Sequence, residues 1–239
     1  MKLHRFITNI PLKPGNLQIN SRELVNQIKK VLKLKPGEMI ILCDGKMNDG
    51  LAEIKNYGKD SIIVELKEIK TNQNNPAEQI ILYCSILKKD NFELVAQKAT
   101  EIGITEIIPL ITARTIKLDV RRKRLEKIIK EAAEQSGRGT VPLLNEPINF
   151  KRAVSDVDKN NLNIFLNKSG ENFTYFKPET SHRKLTTIFV GPEGGWTQEE
   201  LDLAEKLGLK IISLGRTTLR SETAAIIGSY LALTLPVHN

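Results

Sequence analysis

Thr187-Ile188-Phe189-Val190-Gly191-Pro192-Glu193-Gly194-Gly195-Trp196-Thr197-Gln198-Glu199-Glu200-Leu201 holds three signals in a row. The run Thr186–Val190 is short, apolar and β-branched, the pattern of a strand buried on both faces. Gly191 to Trp196 is a glycine-rich turn. Thr197, followed by Glu200, is a capping box that opens a helix expected over Thr197–Leu207. Glycines free the backbone to approach a ligand and to turn N–H groups toward it. In an open α/β sheet, ligands settle beyond the carboxyl ends of the strands. The turn is neither GxGxxG nor a Walker loop, since no Gly-Lys-Ser/Thr follows, and a tight strand-to-helix connection alone would also explain it.

A second loop repeats the logic. Leu214-Gly215-Arg216-Thr217-Thr218-Leu219-Arg220-Ser221-Glu222-Thr223-Ala224 leaves an expected strand, Lys210–Leu214, and enters an expected helix, Glu222–Leu235. Ser221 is placed to cap that helix and Glu222 to complement its dipole. The helix is apolar nearly all round and Pro236 stops it. A helix start that is buried needs every polar group satisfied, and a bound cofactor would do that. The plainer reading is a well-capped surface helix.

Working outward, expected strands at 79–86, 106–110 and 162–166 alternate with helices at 92–102 and 121–135. This predicts an α/β domain with a mostly parallel sheet covered on both faces. Thr71-Asn72-Gln73-Asn74-Asn75-Pro76 reads as a polar linker, so the expected domains are 1–72 and 73–239. The first domain looks β-rich with one helix. Asn20 and Glu23 suggest a capping box ahead of Leu24, Ile28, Val31 and Leu32. Asp44-Gly45 and Asn48-Asp49-Gly50 are turn signals between short strands, which suggests a small barrel.

Composition narrows the class. The chain has 239 residues and a net charge of +8, from 36 Lys and Arg against 28 Asp and Glu, which favours a polyanionic partner such as nucleic acid. No apolar run is long enough to cross a bilayer, and the first residues lack the apolar region of a signal peptide, so a cytoplasmic location is expected. Cys43 and Cys84 form no CxxC pair, and His4, His182 and His238 have no ligand spacing, so no metal is expected.

The two loops together, Gly191-Pro192-Glu193-Gly194-Gly195-Trp196 and Leu219-Arg220-Ser221-Glu222-Thr223-Ala224, resemble the C-terminal signature of RsmE-type methyltransferases of the SPOUT superfamily. Gln97 to Gly103, Ile107 to Leu110 and Glu131 to Arg138 resemble further blocks of that family, in order. Arg5-Phe6 and the Asp44-Gly45 hairpin resemble its PUA-like RNA-binding domain. Trp196 stands where that family usually has phenylalanine.

The resemblance implies a SPOUT domain with a trefoil knot, binding of S-adenosyl-L-methionine, a homodimer, and methylation of uridine N3 in 16S ribosomal RNA of the small subunit. Ribose 2′-O-methylation and a non-catalytic assembly role are the alternatives. By that reading the cofactor contacts are Gly191, Pro192, Gly194 and Gly195 in the first loop. In the second they are Leu214, Gly215, Leu219, Ser221, Thr223 and Ala224. A side chain at Gly194 would then exclude the cofactor. Arg220 and Arg114 would stabilise charge on the ionised uracil, with Glu222 as a base or an anchor. Arg5, Arg22, Lys46 and Arg138, with Lys2 and the Arg121-Arg122-Lys123-Arg124 run, would grip RNA. That run is equally a solvated helix face.

Overall fold

The structure is a computed structural model that describes residues 3–8, 10–116, 118–178 and 185–235. The expectations for Lys2, His182, Pro236 and His238 lie outside the described residues. The chain divides into two compact units, Met1–Asn75 with Ala133–Val141, and Pro76–Ala132 with Pro142–Asn239.

In the first unit, β1 (His4–Ile7), β2 (Gly15–Asn20), β3 (Met39–Cys43), β4 (Asn48–Tyr57) and β5 (Ser61–Thr71) form a five-stranded sheet in the order β1-β3-β4-β5-β2. β1 runs parallel to β3 and the other pairs are antiparallel. No pairing joins β1 to β2 among the described residues, so the ladder is an open path rather than the closed barrel expected. Period-two alternation sends Ala52 and Ile54 of β4 and Ile62, Val64 and Leu66 of β5 into the core.

Two local expectations change in this unit. Helix α1 (Arg22–Val25) is capped by Ser21, whose Oγ accepts from the Leu24 amide at 3.2 Å. Asn20 is not free to cap, because it is the last residue of β2, paired with Ser61. Asn48-Asp49-Gly50 opens β4, with Asp49 opposite Cys43, instead of turning the chain. The reversal falls just before it, where Gly45 and Met47 take φ of 71° and 73°. Asp44 Oδ1 stabilises that turn by accepting from the amides of Lys46 at 2.7 Å and Asn48 at 3.1 Å.

The second unit contains β6 (Gln79–Ser85), β7 (Glu106–Ile111), β8 (Leu143–Leu144), β9 (Ile148–Asn149), β10 (Leu162–Asn172), β11 (Leu185–Val190) and β12 (Lys210–Ser213). Their order is β12-β10-β11-β6-β7-β8, with β9 beside β7, and every pair is parallel. The helices are α2 (Asn91–Ile102), α3 (Arg122–Ser136), α4 (Phe150–Asp156), α5 (Gln198–Lys206) and α6 (Ser221–Thr234). Ile80, Leu82 and Ile188 pack on one face with Val95 and Ala99 of α2 and Ala225 and Ala232 of α6. Tyr83, Phe165 and Phe189 pack on the other with Phe150 of α4 and Ala204 of α5. Coverage of both faces is why these strands lack polar alternation.

Two features position the site. β10 lies between β11 and β12, so three carboxyl ends stand side by side. β10 is also irregular, since Leu166 and Glu171 both register on Ile212 and the residues between them loop out. Gly170 permits this, because a Cβ there would lie 2.4 Å from the backbone of Ile211. Among the described residues no helix is long and apolar enough to cross a membrane, and no group of three metal-ligating side chains is found.

Candidate active site

A cavity of about 690 Å³ opens at the carboxyl ends of β10, β11 and β12. Its apolar wall comes from Leu166, Val190, Ile212, Leu214 and Leu219. Lys168, Glu193, Arg220 and Glu222 supply the charges. The volume falls in the ordinary range for small-molecule sites, which runs from about 300 to 1,000 Å³.

The loop after β11 is held from several sides. The Gly195 amide donates to Pro192 O at 2.8 Å, closing a turn with Gly195 at φ 69°. Trp196 folds back under the loop, its ring centroid 4.3 Å from Phe165 and 5.2 Å from Phe150. Its Nε1 donates to Leu166 O at 3.0 Å, which ties the β11 loop to β10 where that strand loops out. A Cβ on Gly191 would lie 2.9 Å from the Trp196 ring, so this position needs glycine for space. Arg114 Nη1 donates to Gly194 O at 2.7 Å and Trp196 O at 3.2 Å. The Lys88 amide donates to Glu193 Oε1 at 2.8 Å. The capping box of Thr197 and Glu200 is formed, and Glu200 Oε1 also accepts from the Ala113 amide at 2.8 Å. A loop restrained at this many points is preorganised and needs little ordering when a ligand binds.

The loop after β12 is held more lightly. Ser213 Oγ donates to Gly215 O at 3.0 Å, and Gly215 takes φ 143°. Lys168 Nζ donates to Thr218 Oγ1 at 3.1 Å. The residue that caps α6 is Arg220, in an extended conformation and with no side-chain cap bond, instead of Ser221. Ser221 lies in the first turn, and its side chain is not the cap because the chain becomes helical one residue earlier than expected. Arg220 is exposed on the cavity wall. Glu222 is buried at 8% exposure, and its Oε2 has no hydrogen-bond partner among the described residues.

The fold brings most of the expected cofactor residues together. Gly191, Pro192 and Gly195 line the cavity from the first loop. Leu214, Leu219, Ser221 and Ala224 line it from the second, with Arg220 and Glu222. Gly194, Gly215, Thr223 and Arg114 are outside its wall. A Cβ on Gly194 would meet the aliphatic part of Arg114 at 3.4 Å, so it points away from the space it was expected to block. Arg114 braces the back of the loop. Sequence reasoning missed Leu166, Asn167 and Lys168 within β10, and Asn91 at the start of α2. Only the strand order, which puts β10 between the two loop-bearing strands, could have pointed to the first three.

The expected RNA contacts divide by burial. Arg5 forms a bidentate pair with Asp49 and donates to Arg138 O at 2.8 Å. Arg138 is 2% exposed, and burial holds its pKa down at about 10. Both belong to the first unit, Arg138 buried and Arg5 half-buried in its pair with Asp49. Arg22 and Lys46 are exposed. In the basic run, Arg121 pairs with Asp90 and Glu93, Arg122 with Glu126 and Glu146, and Arg124 with Glu93. That run is largely neutralised by its own neighbours.

Residues 73–232 match the family model described as an RNA methyltransferase domain, and residues 23–67 match one described as an RNA methyltransferase PUA domain. The chain belongs to this RNA methyltransferase family. Within it, the ribosomal RNA small subunit methyltransferase E of Rickettsia conorii is 36% identical over 230 residues, covering 95% of this chain and 93% of the relative. The Bacillus subtilis enzyme of the same name is 31% identical over 218 residues, covering 85% and 84%. Among solved structures of the family, a ribosomal RNA small subunit methyltransferase E from Neisseria gonorrhoeae bound to S-adenosyl methionine has a TM-score of 0.89 at 29% identity, covering 98% of both chains. A Legionella pneumophila methyltransferase in complex with S-adenosyl methionine has a TM-score of 0.87 at 28% identity, covering 98% of this chain and 96% of that one.

Proposed function

We propose that this chain uses S-adenosylmethionine to methylate N3 of a uridine in 16S ribosomal RNA of the small ribosomal subunit. It does so as a cytoplasmic homodimer, with residues 1–72 binding RNA and residues 73–239 forming a SPOUT domain whose C-terminal loops make a trefoil knot. The observation that carries this reading is the cavity built from two glycine-bearing loops at adjacent strand ends. Its apolar walls suit an adenosine, and its volume suits the whole cofactor. The exposed Ile227 and Tyr230, on one face of α6, are the support for a dimer.

Bound there, the cofactor supplies a methyl group activated on a sulfonium. The chain supplies position and electrostatics. Uridine N3 carries a proton that must leave before or during attack, and the resulting negative charge spreads over O2 and O4. Arg220, exposed on the cavity wall, is the cation that favours the ionised base. Arg114 acts indirectly, by fixing the loop at Gly194 and Trp196. N3 lies on the Watson–Crick edge, so the target base must be unpaired or flipped out. Arg22 and Lys46 remain the N-terminal candidates for phosphate contacts.

The test is to map modified nucleotides in 16S RNA from cells lacking and regaining this protein. A base-methylated uridine that disappears and returns supports the reading. A methyl group on ribose, or no change, overturns it.

A further inference from the structure

We infer that Glu222 is the acceptor that holds an amino group of the bound methyl donor, fixing the donor by its N–H rather than acting as a base. The inference rests on the proposed use of S-adenosylmethionine. Two helix starts differ. At α5, the first-turn carboxylate of Glu200 is fully used, since one oxygen accepts from Ala113 and the other from Thr197. At α6, the first-turn carboxylate of Glu222 is as deeply buried, 8% against 7% exposed, yet its enclosed Oε2 accepts from no described residue. The two helices share the same N-terminal dipole, which favours a negative charge there. Only one of them completes that charge with protein donors.

An enclosed carboxylate oxygen without a donor is costly, and such an oxygen in a native fold calls for an explanation. Here the explanation is geometric. Glu222 forms part of the cavity wall with Lys168, Arg220 and Ser221, and among the described residues neither these nor the other lining side chains donate to its Oε2. The nearby Cys84 does not supply one either. Its Sγ donates to Ser85 O instead, at 3.4 Å. A carboxylate oxygen accepts, so what completes Oε2 must bring N–H or O–H to it. The donor molecule carries N–H groups at two ends, the 6-amino group of adenine and the ammonium of its amino-acid part; its ribose also carries O–H groups, but all three ligands below share the ribose, so a ribose contact would show as an equal loss across them. The chemistry required of either is the same.

Calorimetry on the full chain separates the two ends. The ligands are S-adenosylhomocysteine, its inosine counterpart without the 6-amino group, and 5′-methylthioadenosine without the amino-acid part. Glu222→Gln keeps the size of the side chain but replaces one acceptor oxygen by a donor. S-adenosylhomocysteine should then bind about tenfold or more weakly, as expected for loss of a hydrogen bond to a charged group. The unfolding midpoint of the free protein should not fall. For whichever analogue lacks the contacted amino group, the difference between the two proteins should vanish or reverse. Glu222→Asp, which keeps the charge one carbon short, should show the same pattern with a smaller loss, and serves if the glutamine variant does not fold. Equal affinity of wild type and variants for S-adenosylhomocysteine overturns the inference, as does an equal loss across all three ligands. Failure of the wild type to bind S-adenosylhomocysteine would instead sink the proposed function itself.

Discussion

Trp196 donates its indole N–H to the carbonyl oxygen of Leu166, 3.0 Å away, and so fastens the loop after β11 to the middle of β10. Leu166 is the last residue of β10 before it loops out, and both residues line the cavity. The bond therefore sets the distance between two walls of the site. Loss of this link should open the cavity without unfolding the sheet around it.

Gly191→Ala would put a Cβ 2.9 Å from the Trp196 ring. The ring must shift and strain its bond to Leu166. Overpacking of this kind costs about 1–3 kcal/mol, so affinity for S-adenosylhomocysteine should fall about tenfold or more. Gly194→Ala meets Arg114 at an ordinary 3.4 Å and should keep affinity within about twofold. Calorimetry on the pair decides it, and the opposite ranking would refute the placement of the loop.

Trp196→Phe keeps the stacking against Phe165 and removes the N–H that reaches Leu166. An unpaired buried carbonyl costs about 1–3 kcal/mol, and the smaller ring adds a void. The unfolding midpoint should drop, and hydrogen exchange should quicken in residues 166–170 and 191–196. Unchanged exchange in either segment would show that the indole does not join them.

Arg220→Ala should abolish methylation, while binding of S-adenosylhomocysteine stays within about threefold of wild type, because the charge matters most for the developing anion. Turnover is read by incorporation of labelled methyl groups into 16S RNA. Arg114→Ala should differ, weakening cofactor binding and turnover together, since it releases the carbonyls of Gly194 and Trp196. Near-normal methylation by Arg220→Ala would remove it from the chemistry.

Replacing Arg121 and Arg124 by glutamine should leave the salt dependence of RNA binding unchanged. Both guanidinium groups are already paired, Arg121 with Asp90 and Glu93 and Arg124 with Glu93. Lys46→Gln, at an exposed cation, should flatten the slope by about 0.7, the value for one phosphate contact on single-stranded RNA. Fluorescence anisotropy over a salt series reads both. A flatter slope for the arginine variant would show that those ion pairs open when RNA binds.

Much of the second unit was readable along the chain. Thr186–Val190 is uniformly apolar or β-branched because both its faces are covered, and the capping box of Thr197 and Glu200 forms as its spacing requires. Where the reading slipped, a neighbour in space had already claimed the residue. Asn20 could not cap α1 because it pairs with Ser61, and Asp49 could not turn the chain because Arg5 and the strand pairing hold it. That Arg138 is buried and that Arg5 pairs with Asp49 was not readable along the chain, because a buried arginine and a surface arginine are the same letter until its partners are known.

Residues 187–201 and 214–224 carried in themselves a strand end, a glycine turn and a helix start, because hydrogen bonds and torsions over a few residues settle such features. Which strand ends stand together is a matter of sheet order, and sheet order is set by packing between residues far apart in the chain. Tertiary structure alone put β10 between β11 and β12, laid Trp196 against Leu166, and left the Glu222 carboxylate enclosed at the cavity with nothing from the described protein to hold.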